Sequence, residues 1–291
     1  MNGILNINKG LGLSSFDVVR KVKKIAHTKK VGHTGTLDPE ASGVLPVCIG
    51  GATKFVDYIM KDDKVYRATL RLGIVTDTYD KEGVVLRTSE VTSSEEEVIS
   101  AIKSFVGRIK QVPPMYSALK VNGQRLYSLA RKGIEIEREA RDIEIFSIDI
   151  IEMDLPYVIF DVKCSKGTYI RSLCYDIGEK LGCGGAMWGL VRTSSGFFSI
   201  ENSVRLEDLT EENISDHLIP VEKALWNYPS AAFETKYVNL LLNGVSLMDK
   251  NAIGSLTMDV MYKVYGEDSG FIGIGKLSQS GFKMVKQFIE V

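Results

Sequence analysis

The sequence predicts an α+β protein, because segments with the two-residue alternation of strands and segments with the spacing of amphipathic helices follow one another along the chain. A glycine-rich stretch near its C-terminal end predicts an additional small group of strands. The chain has 291 residues, of which 44% are hydrophobic and 25% are charged. These values fit a globular protein with one large domain, or one large and one small, and exclude collagen-like, mucin-like and wholly disordered chains.

The first predicted elements are a strand, a helix and a loop. Residues 3–8 favour a short strand. A helix follows, opened by Ser14 and Ser15, with Asp17 in the first turn beside the positive end of the helix dipole. After this helix we predict a Gly- and Pro-rich loop from Gly32 to Pro46.

The middle of the chain alternates strands with helices. Strands are indicated by clean alternation of apolar and polar side chains, and helix starts by capping residues that precede an apolar stripe. The predicted elements are strands over residues 65–75, 142–151 and 157–164, helices opened by Ser93–Ser94 and Gly167–Thr168, and a tight turn at Asn122–Gly123.

The end of the chain differs in composition. Seven glycines in residues 230–291 predict tight turns between short strands. A short helix around Tyr237–Leu242 and a strand over Phe271–Leu277 fit a small β module. We therefore predict two domains, a large one of residues 1–228 and a small module of residues 229–291.

Membrane insertion and export are not expected. The longest stretch without charged or strongly polar groups, about residues 43–52, is well short of the roughly 18 apolar residues that a spanning helix needs. Residues 1–10 lack the apolar core of a signal peptide. The four cysteines are scattered without a Cys-x-x-Cys, which argues against disulfides and structural zinc and favours the reducing cytoplasm.

The charge is distributed unevenly although the formal net charge is only −1. Residues 104–134 contain six basic residues and no acidic one, and residues 1–60 have a net charge of +4. Residues 201–222 have a net charge of −6. A basic region of this kind fits nucleic-acid binding, and it fits an ordinary solvated surface equally well.

Several common catalytic motifs are absent from the sequence. It has no phosphate-binding P-loop, no complete dinucleotide fingerprint, no H-E-x-x-H and no G-x-S-x-G. The three histidines, His27, His33 and His217, do not have the spacing of metal ligands. If the protein is an enzyme, cofactor-independent or carboxylate-based chemistry remains, and no metal or organic cofactor is expected.

The segment from Gly32 to Pro46 is the most informative part of the sequence. It places three glycines and two prolines around His33, Asp38 and several hydroxyl groups. Glycine allows a ligand to approach the backbone closely, and proline fixes the shape of a loop. Taken alone, Asp38–Pro39 could be an ordinary turn. The whole segment, however, resembles the catalytic loop of the TruB family of tRNA pseudouridine synthases.

The resemblance extends over about residues 3–200, because further motifs of this family occur in the same order. The matching segments are Leu5–Gly10, Gly12–Ser15, Ala52–Phe55, Lys64–Tyr66, Leu72–Gly73, Thr76–Asp80, Gln111–Lys120, Cys164–Leu173 and Leu190–Thr193.

The resemblance implies both a fold and a reaction. The implied fold is a mixed, largely antiparallel central sheet with flanking helices, followed by a small PUA-like RNA-binding module. The implied reaction converts uridine 55 in the T loop of tRNA to pseudouridine, with the target base flipped out of the RNA. Asp38 would be the nucleophile. The sequence leaves open whether it adds to the sugar C1′ or abstracts a ribose proton to form a glycal.

The family also implies roles for other residues of the site. Arg171 would be the partner of the catalytic aspartate, Tyr169 a proton carrier, and Tyr66 the stacking platform for the flipped base. The remaining predicted contacts are Leu190 with the base, His33 with the RNA loop, Asp80 with the flipped bases, and Lys9, Lys54 and the basic segment 104–134 with phosphates.

Most of these side chains also have an ordinary structural explanation. A tyrosine on a strand is usually part of a core, and Arg171 could be a surface residue in the first turn of a helix. His33 could bond only to loop backbone, and Asp77 and Asp80 could simply cap a turn.

Three other functions are compatible with the sequence. The first is RNA binding without catalysis, in which Asp38 would be dispensable. The second is a glycosidase or nucleosidase, which needs a second carboxylate, for which Glu40 and Asp80 are the nearby candidates. The third is a related enzyme directed by guide RNA. The partner expected from the resemblance is the T-stem loop of tRNA, bound by a monomer with no obligate protein partner.

Overall fold

The computed structural model describes residues 1–117, 119–121 and 123–288. The predicted turn at Asn122–Gly123 and the motif Gln111–Lys120 each include one residue, Asn122 and Ala118, that lies outside the described residues. The strands are β1 (Gly3–Lys9), β2 (Val31–His33), β3 (Ala41–Ile49), β4 (Lys64–Leu72), β5 (Ile74–Thr76), β6 (Val85–Thr88), β7 (Gly107–Gln111), β8 (Lys120–Val121), β9 (Gln124–Arg125), β10 (Arg141–Asp154), β11 (Tyr157–Cys164), β12 (Gly185–Ser195), β13 (Phe198–Ser199), β14 (Val204–Arg205), β15 (Leu218–Ile219), β16 (Ser230–Phe233), β17 (Met261–Gly266), β18 (Gly270–Ser278) and β19 (Gly281–Gln287). The helices are α1 (Ser15–Ile25), α2 (Val56–Ile59), α3 (Glu95–Lys103), α4 (Leu126–Ala130), α5 (Ile170–Lys180), α6 (Val221–Ala224), α7 (Thr235–Leu242) and α8 (Lys250–Ile253).

The chain divides into two compact units. The first unit contains residues 1–38, 44–60 and 196–291, and the second contains residues 39–43 and 61–195. Strand β3 begins in the second unit and ends in the first.

The second unit is built on a mixed sheet in the order β3, β12, β4, β11, β10, β7. Strands β3 and β12 run parallel, and the other neighbours in this row run antiparallel. Helices α3 and α5 contribute apolar residues to the core of the sheet, for example Ile102 and Leu173, which belong to the same buried cluster as Phe160 of β11, all three fully buried. The α+β class with a largely antiparallel sheet, predicted from the sequence, is confirmed.

A glycine permits the close approach of the parallel strands β3 and β12. Gly43 on β3 has a φ of +101°, and a Cβ atom there would lie 2.2 Å from the carbonyl oxygen of Arg192 on β12. A side chain at this position would therefore separate the two strands at the point where residues 41–43 pair with residues 190–192.

The N-terminal part of the first unit surrounds strand β1. Strand β14 pairs with β1 in parallel, β15 pairs with β1 antiparallel, and β2 pairs antiparallel with β3. Helix α1 begins with a capping box in which Ser14 and Asp17 each satisfy the other's backbone N–H. The helix start predicted from these residues is confirmed.

The C-terminal part of the first unit is a four-stranded sheet in the order β16, β17, β18, β19. Its own core includes Leu241, Val264 and Phe282. Phe271 of β18 also packs against Phe55, with ring centroids 6.0 Å apart. The small C-terminal β module is confirmed, while the domain boundary after residue 228 stays a prediction.

Three predicted elements differ from those observed. The strand predicted over residues 65–75 is divided at Gly73 into β4 and β5. The loop predicted from Gly32 to Pro46 is limited to residues 34–40, because residues 31–33 and 41–49 form β2 and β3. Strand β3 was not predicted because it contains a glycine and a proline, which are typical of loops. Helix α5 begins at Ile170, two residues after the predicted start, with Tyr169 as its N-cap.

Within residues 1–117, 119–121 and 123–288, no helix is long and apolar enough to cross a membrane. All four cysteines are buried and unpaired with one another. Burial raises the pKa of Cys48 and Cys164 to about 12, so both are inert thiols at neutral pH.

Candidate active site

Asp38 lies in the loop of residues 34–40, which is held by hydrogen bonds at Thr34 and Leu37. The Thr34 N–H donates to the Pro46 carbonyl at 3.0 Å. The hydroxyl of Ser15, the first residue of α1, accepts from the Leu37 N–H at 2.8 Å and donates to the Leu37 carbonyl at 3.1 Å. Leu37 is buried, and the next residue, Asp38, is partly exposed. The loop therefore presents a carboxylate beside an anchored backbone.

His33 and the two lysines predicted as RNA contacts have different environments. The Nδ1 atom of His33, at the end of β2, accepts from the Gly35 N–H at 3.3 Å. Lys54 is exposed, and its ammonium group donates to the Gln287 carbonyl at 3.3 Å. Lys9 has no exposed surface, and its ammonium group donates to the carbonyls of Gly10 and Leu13. The ammonium group of Lys9 thus holds the adjacent loop, and the phosphate contact predicted for Lys9 stays a prediction.

In the second unit, Arg171 is buried in the first turn of α5, with 6% of its surface exposed. One terminal nitrogen donates to the Tyr116 carbonyl at 2.7 Å. The other donates to the Thr78 carbonyl at 3.4 Å and lies 3.5 Å from a carboxylate oxygen of Asp80. Backbone carbonyls and a carboxylate from two segments of the chain thus contact the guanidinium group, and the alternative of a surface arginine does not apply.

Asp80 serves both as a turn cap and as an ion-pair partner. Its Oδ1 atom accepts from the Thr78 hydroxyl at 2.5 Å and from the Glu82 N–H at 3.1 Å. Its Oδ2 atom faces Arg171. The capping role considered for Asp80 is therefore observed, together with a buried contact to a predicted catalytic residue.

Tyr169, the N-cap residue of α5, is held through its backbone. The side chain of Gln111, at the end of β7, accepts from the Tyr169 N–H at 2.8 Å and donates to the Tyr169 carbonyl at 3.0 Å. Ser172 adds a hydrogen bond to the Val112 carbonyl at 2.9 Å. The start of α5 is thus fastened to the segment that follows β7.

Tyr66 and Leu190 are neighbours on the central strands. Both are partly buried and pack against the core of the second unit. Leu190 on β12 pairs with Ala68 on β4 and with Ala41 on β3, only three residues after Asp38 in the chain. An aromatic ring and an apolar side chain of this kind suit contact with a planar base.

Further titratable groups adjoin the Asp80 turn. Tyr79 stacks on Tyr175 of α5, with ring centroids 4.1 Å apart. Burial raises the pKa of Tyr79 above its ordinary value. Burial, followed by the charge of Glu179, raises the pKa of Asp176 to about 6. The carboxylate Glu40 forms an ion pair with Lys81 at 3.5 Å.

The second unit therefore brings together Arg171, Asp80 and Tyr169, and it places Tyr66 and Leu190 on adjoining strands. Gln111 and Ser15 were not predicted as site residues. Both residues lie within the motifs that carry the family resemblance, and this position was the signal in the sequence that could have indicated them. In the part of the chain that the structure describes, no group of three or more His, Cys, Asp or Glu residues could hold a metal ion.

Solved structures share this architecture over almost the whole chain. One is described as a crystal structure of a Cbf5-Nop10-Gar1 complex, at 28% identity and a TM-score of 0.77, covering 99% of this chain and 85% of that one. Another is described as an H/ACA RNP bound to a substrate RNA containing 2′-deoxyuridine, at 25% identity and a TM-score of 0.74. It covers the same shares of the two chains.

Family models and curated relatives identify the class. The model of the TruB family pseudouridylate synthase N-terminal domain matches residues 23–170, and that of the tRNA pseudouridylate synthase B C-terminal domain matches residues 171–226. Fold and site thus define an enzyme of the pseudouridylate synthase class, an isomerase. Two proteins named tRNA pseudouridine synthase B are similar along their whole length. The one from Clostridium kluyveri is 58% identical over 99% of this chain and 100% of its own, and the one from Clostridium acetobutylicum is 57% identical over 98% and 99%. The chain belongs to the TruB family, and the resemblance inferred from the sequence is confirmed.

Proposed function

We propose that the protein converts uridine 55 in the T loop of tRNA to pseudouridine, without a metal or an organic cofactor. The observation that carries this proposal is the full-length similarity to proteins named tRNA pseudouridine synthase B, at 57–58% identity. The loop around Asp38 and the buried Arg171–Asp80 pair support it, because they provide a nucleophile and a fixed cation.

In the proposed reaction, Asp38 provides the carboxylate that permits cleavage of the bond between C1′ and N1 of the uridine. The base turns, C5 bonds to C1′, the C5 proton is lost, and N1 regains a proton. Asp38 acts either by adding to C1′ or by removing a ribose proton to give a glycal. Both routes need an ionised carboxylate, and a nearby cation favours that form. We assign this task to Arg171, with Tyr169 as the proton carrier.

The target base is proposed to leave the RNA stack before reaction. Stacking on Tyr66 and an apolar contact with Leu190 would replace the interactions that the base loses in the RNA. We assign His33 to the RNA loop and Asp80 to the flipped bases, where Asp80 is already ordered by Thr78 and Arg171.

Binding of the tRNA backbone is assigned to Lys54 and to the basic segment 104–134. Lys54 is exposed, as phosphate binding requires, whereas Lys9 is better suited to holding the loop that follows β1. Residues 229–291 are proposed to form a PUA-like RNA-binding module, and residues 1–228 the catalytic domain. We further propose that the protein acts as a monomer in the cytoplasm, where its four unpaired cysteines would remain reduced.

The direct test is to map pseudouridine in an unmodified tRNA transcript before and after incubation with the purified protein alone. The proposal predicts one new pseudouridine at position 55 and none in a transcript that has cytidine there. No modification without an added guide RNA would favour a guide-directed enzyme. Release of free uracil would favour a nucleosidase.

A further inference from the structure

Gln111 holds the residue that begins helix α5 through both of its peptide groups. Its side-chain amide bonds the N–H and the carbonyl of Tyr169, and only 2% of its surface is exposed. The same carbonyl accepts the Leu173 N–H, a hydrogen bond of the first turn of α5. No side-chain hydrogen bond caps this helix at Tyr169. Gln111 therefore fixes the backbone from which Tyr169 and Arg171 extend.

We propose that Gln111 is a positioning residue for the isomerisation. It acts through Tyr169 and Arg171, so the inference rests on the proposed function. Hydrogen bonds to the two peptide groups that flank the Tyr169 Cα restrict the rotation of both, and the Tyr169 ring and the Arg171 guanidinium are positioned by this backbone. A displacement of about 1 Å in such groups is enough to slow a reaction about 100-fold.

The variant Gln111→Glu separates positioning from a general contribution to folding. The ionised carboxylate can accept from the Tyr169 N–H but has no proton to donate to the Tyr169 carbonyl. When the carboxyl group is protonated, it can again make both hydrogen bonds. Activity should therefore return as the pH falls, whereas simple loss of packing would not be repaired by a proton.

The experiment measures kcat for tritium release from [5-³H]uridine-labelled tRNA between about pH 8 and about pH 5, the range in which a buried glutamic acid takes up its proton. We expect Gln111→Glu to be about 100-fold slower than the wild type at the alkaline end. The ratio of variant to wild-type kcat should rise steadily towards acid pH, with an unchanged Kd for tRNA. Gln111→Met, which can make neither hydrogen bond, should stay slow at every pH.

A ratio that does not change with pH would overturn the proposal, as would a Gln111→Met variant with wild-type kcat. The kcat of Gln111→Met remains informative if the glutamate variant does not fold. Lys180→Met is the matched control, because it removes a hydrogen bond to Ser104 at the end of α5 that is far from Tyr169. Its kcat should equal that of the wild type. If the wild type itself makes no pseudouridine, the proposed function fails rather than this inference.

A separate contact in the first unit assigns the same kind of role to Ser15. Its hydroxyl bonds both the N–H and the carbonyl of Leu37, the residue before Asp38, and only 3% of Ser15 is exposed. Ser15→Ala should lower kcat about tenfold or more while the Kd for tRNA is retained. The control is Ser14→Ala, which removes the cap of the same helix and should lower the unfolding temperature with little change in kcat. Equal kcat losses in the two variants, or none in Ser15→Ala, would overturn this role.

Discussion

Replacing Asp80 by asparagine removes one charge from the buried pair with Arg171 and leaves the shape of the side chain unchanged. The two charged groups lie 3.5 Å apart, and at an effective dielectric constant of about 20 their attraction is about 5 kcal/mol. Part of this is offset, because an amide costs less than a carboxylate to bury. Hydrogen bonds to charged groups contribute about 1.5–3 kcal/mol net, so we expect Asp80→Asn to lower the free energy of unfolding by about 2 kcal/mol.

The same variant should lose turnover, because Arg171 then loses its ion-pair partner, although the carbonyls of Thr78 and Tyr116 still accept hydrogen bonds from it. Urea denaturation measures the stability, and tritium release measures kcat, which we expect to fall about tenfold for each 1.4 kcal/mol of transition-state stabilisation lost. The control is Asp77→Asn, since Asp77 caps the same turn through the Val84 N–H without an arginine. Asp80→Asn with wild-type stability and turnover would show that the ion pair has no role in either.

Three further predictions address base stacking, phosphate contact and pH. Tyr66→Leu should reduce kcat severely and tRNA affinity much less, because stacking is worth about 1–3 kcal/mol per base, and equal losses in both would make Tyr66 a fold residue. Lys54→Glu should weaken tRNA binding and lower the slope of log K against log salt by about 1, whereas Lys223→Glu, at another exposed lysine of the first unit, should leave the slope unchanged. Because the pKa of Asp176 is raised to about 6 in the folded state, its ionisation disfavours folding, and stability should rise as the pH falls from about 6 towards about 4. Asp176→Asn should remove this pH dependence and stabilise the protein at pH 7 by about 1 kcal/mol, after allowance for partial solvent exposure. Urea unfolding of the variant and the wild type at pH 5 and pH 7 measures both effects. An unchanged pH dependence of stability in the variant would contradict this prediction.

Local signals in the sequence were enough to predict the elements that depend on nearby residues. Ser14–Ser15, with Asp17 in the first turn, marked the start of α1, and the alternation of residues 65–75 marked β4 and β5 without the break at Gly73. Strand β3 was missed because its glycine and proline are typical of loops. Gly43 is explained only by Arg192, which lies on the neighbouring strand 149 positions later.

Contacts between distant parts of the chain could not be predicted in the same way. Arg171 and Asp80 were each predicted as site residues, but their pairing joins positions 91 apart and depends on how α5 meets the turn after β5. The net charge around the basic segment 104–134 also could not be predicted from the segment alone. Arg108 and Lys110 on β7 face Glu144 and Asp142 on β10 at 3.6 Å, so part of its charge is balanced by carboxylates outside the segment.

The central claim is that the Asp38 carboxylate performs the chemistry on a uridine of tRNA. It is tested most directly by single-turnover tritium release from [5-³H]uridine-labelled tRNA, measured for the wild type, Asp38→Asn and the exposed control Asp57→Asn, with the Kd for tRNA measured in parallel. We expect release by the wild type and the control, no release by Asp38→Asn, and the same Kd for all three proteins. Release at the wild-type rate by Asp38→Asn would contradict the claim.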